Sequence, residues 1–135
     1  MWLKSIDNPP LILFAKGNIS ALKQDICTAV IGKRNPSNYG FIASKKIGEE
    51  LSKNSIVVVS GLAAGCDTQA HIGCIEEKGI GIGVLAHGLD MIYPSSSTPI
   101  ADNLIANNGL LISEYPIGVQ PTKYNFVDRD RIQSG

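Results

Sequence analysis

Apolar and β-branched residues gather in four short runs, Ile26 to Ile31, Ile56 to Ser60, Ile80 to Leu85 and Leu110 to Ser113, with room for a helix in each interval between them. Continuous runs, as opposed to in/out alternation, suit strands buried on both faces, and strand-helix-strand alternation builds a parallel sheet covered by helices. The pattern predicts an α/β fold, doubly wound and Rossmann-like, with three layers around a mainly parallel sheet. Tyr39, Ala43, Ile47 and Leu51 recur every fourth residue, which predicts a helix over 39–52 with one apolar seam. Gly40, Ser44 and Gly48 form a row of small residues beside that seam, at a propensity cost of about 1 kcal/mol per glycine. A second helix is expected to open on Asp67 as its N-cap and to stop near Lys78-Gly79, and a third to cover Thr98 to Ala106. Ahead of these, Pro9-Pro10 precedes Leu11 to Phe14, an edge strand or covering arm. Residues 1–135 read as one domain, with 1–25 as its N-terminal arm.

The end of the chain breaks this pattern. After Ser113-Glu114-Tyr115-Pro116 the sequence is loop-like until Asp128-Arg129-Asp130-Arg131-Ile132, which resembles the opening turn of a helix that stops at Gly135. One turn does not hold by itself, and a sheet of four strands leaves edges that open α/β domains cover with further elements. The domain is therefore expected to be partial, incomplete at its C-terminus.

Composition narrows the partner class. With 44% hydrophobic and 18% charged residues the chain has the makings of a folded core, and its 12 basic residues balance 12 acidic ones, so any binding surface is local rather than a global field. The apolar runs fall far short of the roughly 20 residues that cross a bilayer, and no signal pattern opens the chain. No membrane partner is expected, and the expected compartment is the cytoplasm. Cys27, Cys66 and Cys74 are odd in number and lack paired spacing, as reduced thiols would be.

Candidate chemistry lies in three turns at strand ends: Gly32 to Pro36, Ser60 to Gly65, and Ala86 to Asp90. A parallel sheet brings such loops to one carboxyl edge, where backbone amides attract phosphates. Gly32, Ser60, Gly61 and Gly65 are the candidate phosphate-binding residues, although the glycines serve equally well as plain tight turns. Neither GxGxxG nor GxxxxGK[ST] is present. Arg34 suits a phosphate clamp or an exposed loop charge. Lys123, Arg129 and Arg131, interleaved with Tyr124 and Phe126, match a surface that tracks a nucleic-acid backbone while stacking bases, or else an ordinary solvated face with Phe126 as a core plug. Asp128 and Asp130 cancel part of that charge. His71 and Cys74 stand one helical turn apart without further ligands, so no metal site and no cofactor is expected. Cys66 lacks a histidine partner for nucleophilic work. Asp90 and Glu114, at strand ends, are expected to tie loops together.

Four motifs in order, Ala29 to Pro36, Ser60 to Asp67, Gly88 to Pro94 and Ser113 to Pro116, resemble the DNA-processing protein A (DprA/Smf) family. The resemblance implies an extended Rossmann-like domain that binds single-stranded DNA, supports natural transformation and homologous recombination, and helps load the RecA recombinase, without catalysis. It implies DNA contacts at Arg34, with Lys33 in the middle of the family's G-S-R motif, at Lys123 and Phe126, and at Arg129 and Arg131 in the second arginine cluster. Where that cluster usually reads F-P-R-R-N-R-I, this chain has Phe126-Val127-Asp128-Arg129-Asp130-Arg131-Ile132, and the two carboxylates are expected to oppose a phosphate path. Family members continue beyond this point with the portion that carries dimerisation, so a homodimer is implied only where that portion is present. The competing reading is a nucleotide-binding enzyme or sensor similar to the phosphoribohydrolases, whose PGGxGTxxE signature is absent. A third is an interaction module with no ligand.

Overall fold

Five strands form one sheet in the computed structural model, which describes residues 2–135. They are β1 (Phe14–Gly17), β2 (Cys27–Ala29), β3 (Val57–Ser60), β4 (Gly81–Leu85) and β5 (Leu110–Ser113), in the spatial order β1-β5-β4-β3-β2. Strands β2 to β5 run parallel, and β1 pairs antiparallel with β5, Phe14 opposite Ser113. Every residue of β3, β4 and β5 is buried, as their continuous apolar runs require. The predicted arm contributes β1, three residues later than Leu11 to Phe14, while Leu11 and Ile12 stay exposed. The short β2 is an edge whose Cys27 and Ala29 face outward.

The helices are α1 (Asn38–Lys53), α2 (Cys66–Glu76), α3 (Thr98–Ala106) and α4 (Lys123–Ser134). Because β2, β3, β4 and β5 are laid down in one direction, right-handed crossovers place their connecting helices on one face of the sheet. There Val58 packs with Ala70 and Cys74 of α2, and Leu85 and Leu111 pack with Ala101 and Leu104 of α3. The crossovers thus wind one face only, not two. The opposite face, carrying Val57, Val59, Ile82, Val84, Leu110 and Ile112, is closed by Leu3, Ala21 and Ile132, that is, by the N-terminal segment and α4. No helix among the described residues is long and apolar enough to cross a membrane.

Helix α1 departs from its predicted seam. Tyr39 and Ile47 lie on the exposed side, and the buried positions are Ser44 and Gly48 of the small-residue row. The row lets α1 approach α2 until backbones touch: a Cβ on Gly48 would run into the Ala70 carbonyl, and one on Gly73 into the Lys45 carbonyl. Gly48→Ala sets a helix-propensity gain of about 1 kcal/mol against overpacking of 1–3 kcal/mol or more, and a backbone neighbour cannot rotate aside. A net loss of about 1–2 kcal/mol is expected in urea unfolding. A more stable variant would show that the helices do not meet so closely.

Helix α4 begins at Lys123, five residues before the predicted turn at Asp128, with Thr122 as N-cap accepting from the Asn125 amide (3.2 Å). Its buried positions are Asn125, Arg129, Ile132 and Gln133, a mostly polar face at helical spacing.

Candidate nucleic-acid interface

The turns after β2 and β3 meet at the carboxyl edge. The Cys66 amide, first in α2, donates to the Lys33 carbonyl (3.1 Å). Gly65 precedes it at φ 90° and lies so close to the Arg34 carbonyl, 2.5 Å from where a Cβ would stand, that no side chain fits. This contact fixes the backbone from which Arg34 projects. Gly65, not Asp67, is the N-cap of α2.

The expected phosphate cradle of Gly32, Ser60, Gly61 and Gly65 is filled from within. The Ser60 hydroxyl is buried and donates to the Val30 carbonyl (2.6 Å). The amides of Gly32 and Gly61 act on the carboxylate of Asp67, which is 4% exposed, and favour its ionised form. Arg129, 5% exposed, reaches the same point: a Cβ on Gly61 would stand 2.6 Å from both Arg129 Nη1 and Asp67 Oδ2. Nη1 of Arg129 also donates to the Val84 carbonyl (2.6 Å). An external phosphate here would face the buried Asp67 carboxylate. Burial pushes the Asp67 carboxyl up to about 6, against the opposing pull of Arg129 and the two amides.

The second arginine cluster is likewise turned to internal work. Arg129 is a pillar beneath the turns rather than an exposed cation. Both Glu114 oxygens accept from Nη2 of Arg131 (2.8 and 2.7 Å), and Arg131 Nη1 stands 3.5 Å from Asp128 Oδ2. The Tyr115 hydroxyl donates to the same Asp128 oxygen (3.2 Å), and Asp130 accepts from Arg129 Nε (3.2 Å). The two carboxylates that depart from the family pattern are therefore partnered within the domain, which reduces the repulsion expected of them. Glu114 and Asp90 tie loops as read from the sequence, Asp90 accepting from the Gly118 amide (3.1 Å).

Lys33, Arg34 and Lys123 remain exposed, and none of them forms an ion pair among the described residues. Arg34 lies against α4, its Cζ 4.5 Å from the centroid of the Phe126 ring, an attraction of about 0.5–1 kcal/mol at an exposed site. Lys123 stands three residues before Phe126, one helical turn away. Tyr93 also lies beside Phe126, its centroid 6.0 Å from that of Phe126 at 44°. Arg34, Phe126 and Tyr93 line, with Ala63, Ala64 and Pro94, a cavity of about 110 Å³. Tyr93 is the residue that sequence reasoning passed over: it stands within a quoted motif, and the available signal was an aromatic side chain in a loop at the sheet's carboxyl edge.

His71 and Cys74 are both fully buried against the sheet. No three His, Cys, Asp or Glu side chains gather as metal ligands among the described residues.

Sheet order and edge chemistry together define a Rossmann-like α/β domain with a cation-aromatic cluster where such sheets meet their ligands. The chain belongs to the family described as DNA recombination-mediator protein A, whose sequence profile matches residues 1–135. It is 41% identical over 134 residues to the DNA processing protein DprA of Bacillus subtilis, covering 99% of this chain and 45% of that protein. It is 38% identical to the protein Smf of Synechocystis, covering 98% of this chain and 34% of that one. The X-ray structure of DprA from Streptococcus pneumoniae superposes with a TM-score of 0.88 at 40% identity, over 97% of this chain and 45% of that one. A Helicobacter pylori DNA processing protein A structure, described for its single-stranded DNA binding mode, superposes at 0.84 with 33% identity, over 94% of this chain and 57% of that one. The chain thus spans about half or less of the curated relatives named here.

Proposed function

We propose that this chain carries a single-stranded DNA-binding edge of a recombination-mediator protein and that it binds without catalysing. The observation that carries the reading is the cluster of Arg34, Phe126 and Tyr93 at the carboxyl edge, flanked by the unpaired Lys33 and Lys123. Cations beside aromatic rings suit a single strand because the charges follow the phosphates while flat rings accept any base. In this reading Arg34, Lys33 and Lys123 hold phosphates, Phe126 forms the aromatic floor beneath Arg34, and Arg129 and Arg131 support the edge from inside. That the Helicobacter pylori relative is described as binding single-stranded DNA supports the reading. The reading extends to the loading of a RecA recombinase on the bound strand, to work in the cytoplasm, and to a homodimer where the longer relatives' remaining portion is present.

Binding should tolerate sequence and weaken with salt, each phosphate contact contributing about 0.7 to the slope of log affinity against log salt for a single strand. Fluorescence anisotropy with labelled oligothymidine, titrated at several salt concentrations, tests this. Arg34→Ala and Lys123→Ala are each expected to lower the slope by about 0.7. Absence of binding at low salt, or unaltered slopes in both alanine variants, would refute the reading.

A further inference from the structure

We infer that Tyr93 is the base-stacking residue of this edge, and that the cavity beside it receives a single nucleobase. The inference deepens the single-stranded DNA reading and rests on it. The Phe126 ring is already engaged: Arg34 Cζ lies 4.5 Å from its centroid and Arg129 Cζ 5.7 Å. A base stacking on Phe126 would compete with these guanidinium groups, and Arg129 is anchored to the Val84 carbonyl. Tyr93 is 48% exposed and forms one wall of the cavity, with Ala63 and Ala64 leaving room beside it. At about 110 Å³ the cavity is of the order of the roughly 150 Å³ that takes up a benzene ring when closed, and here one side opens to solvent. Arg34 lines the same cavity, so a nucleotide whose base lay against Tyr93 would keep its phosphate within reach of the guanidinium. Phe126 then acts as a positioning residue, holding Arg34 and tilting against Tyr93, rather than as the stacking surface.

The test compares labelled oligothymidine with an abasic strand of the same length and charge, by anisotropy at low salt. The parent chain is expected to prefer the strand with bases. Tyr93→Ala should lower affinity for that strand by about 5- to 150-fold while leaving the abasic strand unchanged, and Tyr93→Phe, which keeps the ring, should retain parental binding. Phe126→Ala should weaken binding to both strands, because it releases Arg34 from its place. The inference fails if Tyr93→Ala binds oligothymidine like the parent, or if it loses affinity equally for both strands. A parent that binds both strands equally well also refutes it but leaves the DNA-binding edge standing. A parent that binds neither strand refutes the edge itself.

Discussion

Replacing Arg129 by methionine is expected to destabilise the domain by about 1–3 kcal/mol, the effect of leaving the buried Val84 carbonyl without its donor. Arg129 donates to the buried Val84 carbonyl (2.6 Å), and its charge acts on the Asp67 carboxylate on the other side of Gly61. Methionine fills much of the volume but supplies neither donor nor charge. The Asp67 carboxyl, already up at about 6, would then lose the cation that favours its ionised form. Chemical unfolding at neutral pH measures the loss. Since α4 carries Phe126, native variant remaining below the transition should also show the Arg34 side chain displaced. A loss under about 1 kcal/mol would mean that Arg129 is an ordinary surface cation, contrary to its burial.

The second large effect lies in the dependence of stability on pH. Burial raises Asp67 from an ordinary 3.8 to about 6, so its contribution is full below about 3.8 and is lost as pH rises through about 6. Burial lowers His71 from 6.5 to about 4, although the carbonyls of Ser60 and Gly61 favour its cation; neither ring nitrogen reaches a hydrogen-bond partner. Its contribution is full above about 6.5 and is lost as pH falls through about 4. Each shift is worth on the order of 3 kcal/mol, and the two slopes oppose each other across the same window. The parent should therefore show little net dependence from these groups between pH 4 and 6.5. Asp67→Asn should uncover the histidine, with stability rising as pH rises. His71→Leu should uncover the aspartate, with stability falling over the same range. Urea unfolding at stepped pH reads both, and variants whose profiles run parallel to the parent's would refute the assignment.

These effects depend on polar groups inside the domain, and polar burial is what the sequence conceals. The runs that became β3, β4 and β5 were legible because a strand covered on both faces must be apolar throughout. The bounds of α3 and β5 coincide with those read from the chain, since Asn107-Asn108-Gly109 separates them with strong turn residues. Helix α4 was legible only in its last turns. Its inward positions Asn125 and Arg129 bind the carbonyls of Ala86 and Val84, so a periodicity search for apolar residues finds no stripe there. Helix α1 misled in the opposite way: an apolar seam was present, but the surface it needs is not what α2 offers, and the glycine row packs instead.

For the candidate site, sequence reasoning located the carboxyl edge, Arg34, Lys123 and Phe126, because strand ends in a parallel sheet share one side and cations beside aromatics are visible as letters. It assigned the glycine amides to a phosphate and the second arginine cluster to DNA, whereas the folded chain sets the buried Asp67 carboxylate against Gly32 and Gly61 and gives Arg129 to the Val84 carbonyl and Arg131 to Glu114. By itself, then, the sequence determined the class of fold, the burial of the central strands and the family, all properties that follow from local periodicity and ordered motifs. Only the tertiary structure decided which charges face water and which face each other. A residue's letter states that it carries a charge, but the partner that neutralises it can lie 17 positions away, as Glu114 does from Arg131, and folding alone brings the two together.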